Sequence, residues 1–83
     1  MSSFKETVVK ISLKILGESS TKRFFKNEKE YVDLIKEKNI IKIKLRDKNL
    51  TIEFDEQGRY YLREGYLDDL EEIVSILKNY KGI

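Results

Sequence analysis

The feature that most restricts this chain is a pair of alternating runs set close together. Ile41-Lys42-Ile43-Lys44-Leu45-Arg46 and Leu50-Thr51-Ile52-Glu53-Phe54 each place apolar and polar residues in turn. Successive side chains of a strand point to opposite faces, so a period of two gathers the apolar residues on one side. The intervening Asp47-Lys48-Asn49 is turn-forming, and the two runs read as a β-hairpin. Asp55-Glu56-Gln57-Gly58 supplies a second turn into Arg59–Arg63, a further strand. A meander with one apolar face must be covered on that face and wetted on the other.

The cover is read from helical periodicity. Leu67, Leu70, Ile73, Val74, Leu77 and Tyr80 recur at i, i+3, i+4 spacing. Asp68, Asp69, Glu71 and Glu72 crowd the start of this helix, Lys78 and Lys81 its end, and Gly82 can terminate it. Upstream, Val9, Ile11, Leu13 and Ile15 alternate with Lys10, Ser12 and Lys14, which predicts a strand over 9–15. Gly17-Glu18-Ser19-Ser20 breaks it, and Thr21–Lys26 is a candidate partner strand. Asn27 with Glu30 has capping-box spacing, Tyr31, Leu34 and Ile35 share a helical face, and Val32 widens it. A helix over Glu28–Lys38, stopped at Asn39, is therefore predicted. The fold class is α+β: a two-layer open sandwich, β(β)-α-β-β-β-α, with an antiparallel sheet of four to five strands and two helices on one face. From residue 28 this order is similar to that of a double-stranded-RNA-binding domain. That family grips its duplex with lysines at the start of its last helix, where this chain reads Asp68-Asp69-Leu70-Glu71-Glu72. The resemblance covers arrangement alone and implies no site.

Composition narrows the function. The 83 residues make one domain, 1–83, and the 40% that are apolar are patterned rather than scattered. Without cysteine there is no disulfide or thiolate zinc site. Without histidine as well, the commonest general base and the soft nucleophile are both missing, so the chain reads as non-enzymatic and free of cofactors. The acids at Asp68, Asp69, Glu71 and Glu72 are accounted for by a helix N-terminus rather than a metal. No apolar run reaches the length of a membrane helix, and Met1–Glu6 lacks the apolar core of a signal peptide. Ser2 stands where myristoylation needs glycine, and the sequon Asn49-Leu50-Thr51 reads as turn chemistry. The expected location is the cytoplasm.

Charge is distributed unevenly. Residues 1–48 hold 13 basic and 7 acidic residues, a net of +6, and residues 49–83 hold 4 and 8, a net of −4, which together give the overall +2. With the apolar strand residues facing the helices, Lys10, Lys14, Lys42, Lys44 and Arg46 fall on the open sheet face. Arg59, Tyr61 and Arg63 join them if Tyr60 and Leu62 point inward. Cations interleaved with aromatics on an open sheet suit single-stranded nucleic acid, although solvated lysines also keep strand edges from aggregating. Phe54, Tyr31 and Tyr80 are assigned to packing. Lys22, Arg23, Phe24 and Phe25 form a second candidate surface, for a protein partner, because exposed aromatics beside arginine dominate interface energetics. The primary expectation is a small interaction protein, an inhibitor or accessory or regulatory subunit. Chains of this build are associated with phages and mobile elements. Nucleic-acid binding is the alternative, and the opposite charges of the two halves favour a homodimer.

Overall fold

The computed structural model describes residues 3–81. Ser2 and Gly82, which carried expectations above, lie outside them. The order is α1 (Phe4–Leu16), β1 (Thr21–Phe25), β2 (Tyr31–Glu37), β3 (Ile40–Leu45), β4 (Lys48–Phe54), β5 (Tyr60–Glu64) and α2 (Leu67–Leu77). The five strands form one open antiparallel sheet in sequential order β1-β2-β3-β4-β5. The α+β, two-layer reading holds. The element order differs from expectation in two places.

Residues 9–15 are helical, not a strand. Alternation over seven residues hid a longer pattern in which Phe4, Val8, Ile11 and Ile15 step by four, three and four. Val8, Val9, Ile11, Ser12, Ile15 and Leu16 are the buried face of α1. Its start has capping-box spacing, Ser3-Phe4-Lys5-Glu6, and Ser3 Oγ caps the helix by accepting from the Glu6 amide at 3.1 Å. Gly17, at φ 60°, ends the helix with its amide on the Leu13 carbonyl.

Residues 28–38 are not a helix: β2 occupies Tyr31–Glu37. Asn27 does cap local amides, since its Oδ1 accepts from Lys29 N and Glu30 N at 2.9 Å each, but the turn it closes is the β1–β2 loop. Asx chemistry of this kind serves loops and helix starts alike. Val32 and Leu34 are fully buried opposite Leu45 and Ile43, so cross-strand packing decides the element. The double-stranded-RNA-binding arrangement is lost with that helix.

The meander stands, with a shifted turn. β2–β3 and β3–β4 are joined by two-residue loops, Lys38-Asn39 and Arg46-Asp47, whose first residues have φ of 54° and 57°. Lys48 and Asn49, expected in the turn, begin β4. Asn39, expected as a helix stop, instead bonds Phe54 in both directions, through its side-chain amide to the Phe54 carbonyl and from the Phe54 amide to its own carbonyl.

One sheet face carries the core. Val32, Leu34, Ile41, Ile43, Leu45, Leu50 and Ile52 join the buried faces of α1 and α2 in a single cluster, with Phe24, Phe54, Tyr60, Leu62 and Tyr80 at its margin. Helix α1 touches α2 and both edge strands, β1 and β5. Thirteen residues at 1.5 Å span about 20 Å, close to the four strand spacings of about 4.8 Å between those edges. The helix therefore runs across the strands. Leu67, expected on the apolar stripe of α2, is exposed, as is Tyr66 before it.

Candidate interaction surface

The uncovered face of the sheet is built by the residues alternate to the core. Register places Arg23 opposite Asp33, Phe25 opposite Tyr31, Ile35 opposite Lys42, Lys44 opposite Asn49 and Glu53 opposite Tyr61. In the β4–β5 pairing the register shifts between Thr51 and Ile52 of β4, leaving Arg63 of β5 as the extra residue of a bulge. Both Arg63 and Glu64 then reach the same face, Arg63 Nε donating to Glu53 at 2.9 Å and Thr51 Oγ1 donating to Glu64 at 3.0 Å.

The residues expected on this face divide into two groups. Lys42, Lys44, Tyr61 and Arg63 do lie on this face. Lys10 and Lys14 do not, because they sit on the exposed side of α1 in the other layer. Arg59 precedes β5 and folds back on the β4–β5 turn, its Nε 2.7 Å from Asp55 Oδ2. Asp55 also accepts the Arg59 and Gln57 amides, and the Arg59 amide in particular holds its carboxyl below the usual range.

Arg46 belongs to an internal network. Its guanidinium contacts Glu30 in the β1–β2 loop and Glu72 of α2, the latter at 2.8 Å. Lys48 Nζ reaches Asp69 at 2.9 Å and Glu72 at 3.9 Å, and Lys26 reaches Glu30 at 3.3 Å. Arg46 holds the Glu30 and Glu72 carboxyls below their ordinary values, and bonding to Asp69 raises the Lys48 ammonium. The sequence polarity, basic first and acidic last, is thus partly closed within one chain across the β3–β4 turn and the first turns of α2.

The remaining outer face is balanced. Arg23, Lys42, Lys44 and Arg63 share it with equal numbers of carboxylates, Asp33, Glu37, Glu53 and Glu64. Three of the cations are paired: Arg23 with Asp33 at 2.7 Å, Lys42 with Glu37 at 3.3 Å, and Arg63 with Glu53. The bond to Asp33 raises the Arg23 guanidinium further. Lys44, and Lys29 in the nearby loop, make no ion pair among the described residues. Both line an open cleft of about 570 Å³ with Arg23, Asn27, Tyr31 and Asp33.

What distinguishes the β1–β2 end is apolar exposure. Phe25 is 56% exposed, and Tyr31 and Ile35 are about as exposed as each other, at 37% and 36%. Phe25 and Tyr31 rings lie 5.6 Å apart, and the Arg23 guanidinium stacks 3.9 Å from the centre of Tyr31. Tyr31, expected to pack in the core, is therefore part of the surface. Of the adjacent pair Phe24 and Phe25, Phe24 turns inward to meet Tyr80 edge-on at 6.1 Å and Phe25 turns outward. Lys22 lies on the helix side of β1, at its exposed margin. The signal for Tyr31 and Ile35 was present in the β-branched and aromatic content of Tyr31–Glu37, and it was masked by an equally good helical spacing.

No protein-family model, no curated protein and no solved structure matches the chain. Among the described residues no group of acidic side chains is arranged to hold a metal ion, and no helix is long and apolar enough to cross a membrane.

Proposed function

We propose that this chain is a small, non-enzymatic interaction protein that binds another protein through the β1–β2 end of its open sheet. The observation that carries the reading is the exposed group Phe25, Tyr31 and Ile35 with Arg23 stacked beside them. Aromatic residues and arginine are the side chains that supply most interface energy, and here they stand exposed together beyond what the cross-strand pairing of Phe25 with Tyr31 buries. The balance of charge on the same face supports a protein over a polyanion. Phosphate binding draws on unpaired cations and releases counterions, and here Arg23, Lys42, Arg63 and Arg46 already face carboxylates.

Nucleic-acid binding is the second reading, and Lys29 and Lys44 beside Tyr31 are what favours it. A homodimer is a weaker proposal, since Arg46 and Lys48 spend their charge on Glu72 and Asp69 of the same copy.

The test is site-specific photo-crosslinking in cells of the source organism. A photoreactive residue at Ile35 should give a discrete protein adduct that one at Lys10 does not. Equal labelling from both positions would refute the assignment. Anisotropy of labelled oligonucleotides decides the second reading: binding that falls steeply with salt, and that Lys42→Glu with Lys44→Glu abolishes, would replace the protein-binding proposal.

A further inference from the structure

The β1 edge has an open hydrogen-bonding register. The Lys36 amide donates to the Ser20 carbonyl and the Lys26 amide to the Glu30 carbonyl, each at 2.8 Å, so these bonds bracket the β1–β2 ladder. Antiparallel pairs alternate between bonded and non-bonded. Between those brackets Lys22 and Phe24 are therefore bonded to β2, while the N–H and C=O of Thr21, Arg23 and Phe25 point away from the sheet. Among the described residues no backbone bond outside the ladder reaches these three. The edge is unpaired over its whole length.

Beside the end of this edge lies a groove of about 580 Å³, between β1 and the non-helical residues 78–81 that follow α2. Phe24 and Tyr80, in edge-on contact, give it an aromatic wall, and Phe25 stands at its rim. Its charged lining is wholly basic: Lys26, Lys78 and Lys81. Lys26 has Glu30 as a partner, whereas Lys78 and Lys81 make no ion pair among the described residues.

We infer that the β1 edge and this groove receive an acidic, extended segment of a partner protein as a sixth strand. Its backbone would pair with Thr21, Arg23 and Phe25, an aromatic or branched side chain would enter against Phe24 and Tyr80, and its carboxylates would meet Lys78 and Lys81. Strand addition of this kind takes affinity from main-chain bonds and specificity from the pockets beside them. A second copy of this chain is a poor occupant, because β1 and its flank carry Lys22, Arg23 and Lys26 with no acid, and self-pairing sets like charges together.

The inference rests on the protein-binding reading and specifies its ligand. The test is selection of peptides from a random display library on the intact chain, followed by anisotropy of the labelled winners. Selected peptides should be net acidic with alternating apolar residues. N-methylation of every second amide in the peptide should abolish binding, a readout that leaves the protein's folding untouched. Lys78→Glu with Lys81→Glu should weaken binding about tenfold at low salt and less as salt screens the contact, while Lys42→Glu with Lys44→Glu should have no effect. Winners without acidic bias, or indifferent to both N-methylation and the Lys78→Glu, Lys81→Glu variant, would overturn the groove. If such winners respond to Tyr31→Ala, the broader reading survives on the outer face alone. An oligodeoxythymidine strand that displaces the peptides with equal affinity would overturn both.

Discussion

Ser12 offers the sharpest test of the packing. It is fully buried in α1 between Val8, Ile11, Ile15 and Leu16, and among the described residues its hydroxyl has no hydrogen-bond partner. A buried hydroxyl left unpaired costs about 1–3 kcal/mol of desolvation. Ser12→Ala removes that penalty and gains a few tenths of a kcal/mol, up to about 0.7, in helix propensity. Against this stands a void of roughly 10 Å³, worth about 0.2–0.3 kcal/mol at the slope seen for core truncations. The net expectation is stabilisation by about 1–3 kcal/mol, which for a domain of this size raises Tm by at least about 4 °C. Thermal melts followed by circular dichroism, with urea unfolding at constant m, measure it directly. An unchanged or lowered Tm, with native spectra, would refute the argument and mean that the hydroxyl is satisfied in solution by the Val8 carbonyl one turn back.

Other consequences follow from the caps, the turns and the ion network. Ser3→Ala removes the acceptor of the Glu6 amide and should cost about 1 kcal/mol, read as a lowered Tm. Gly65 links β5 to α2 at φ 98°, where an added Cβ would lie 2.6 Å from Leu50 Cγ; Gly65→Ala should destabilise by about 2–4 kcal/mol in urea melts. Acid should weaken the fold in a defined direction: Glu30 and Glu72 are held below their ordinary 4.5, so their contribution is whole above that pH and lost as pH falls through the depressed values. Arg46→Gln should flatten this acid limb, seen as a smaller difference between urea midpoints at neutral and acid pH. An unaltered pH profile in that variant would show that the network carries no linkage.

Much of the architecture was legible in the residues. The alternation of Ile41–Arg46 and Leu50–Phe54, the turn at Asp55–Gly58 and the 3.6-residue stripe of α2 each had one consistent reading, and the two-layer α+β class follows from having to cover a single apolar face. Where two periods fitted the same residues, the sequence could not choose. Val9, Ile11, Leu13 and Ile15 alternate and also belong to a helix whose buried stripe runs from Val8 to Leu16, and Tyr31, Leu34 and Ile35 satisfy a helical face while Val32 and Leu34 satisfy a strand. The surface divided in the same way. Lys42, Lys44, Tyr61 and Arg63 fall on the open face because strand alternation alone fixes their side, whereas Lys10 and Lys14 follow their segment into α1.

Local patterning by itself determined that this chain makes one sheet with one wet face and follows it with an amphipathic helix, because periodicity and turn chemistry are properties of neighbouring residues. Only the tertiary structure decided that β2 is a strand, that Arg46 and Lys48 are held by the acids of α2, and that Phe25, Tyr31 and Ile35 come together beside an unpaired edge. Those outcomes depend on contacts between residues distant in sequence, such as Arg46 with Glu72 and Val32 with Leu45, and for β2 the burial of Val32 against Leu45 outweighs the small local helical preference it overrides.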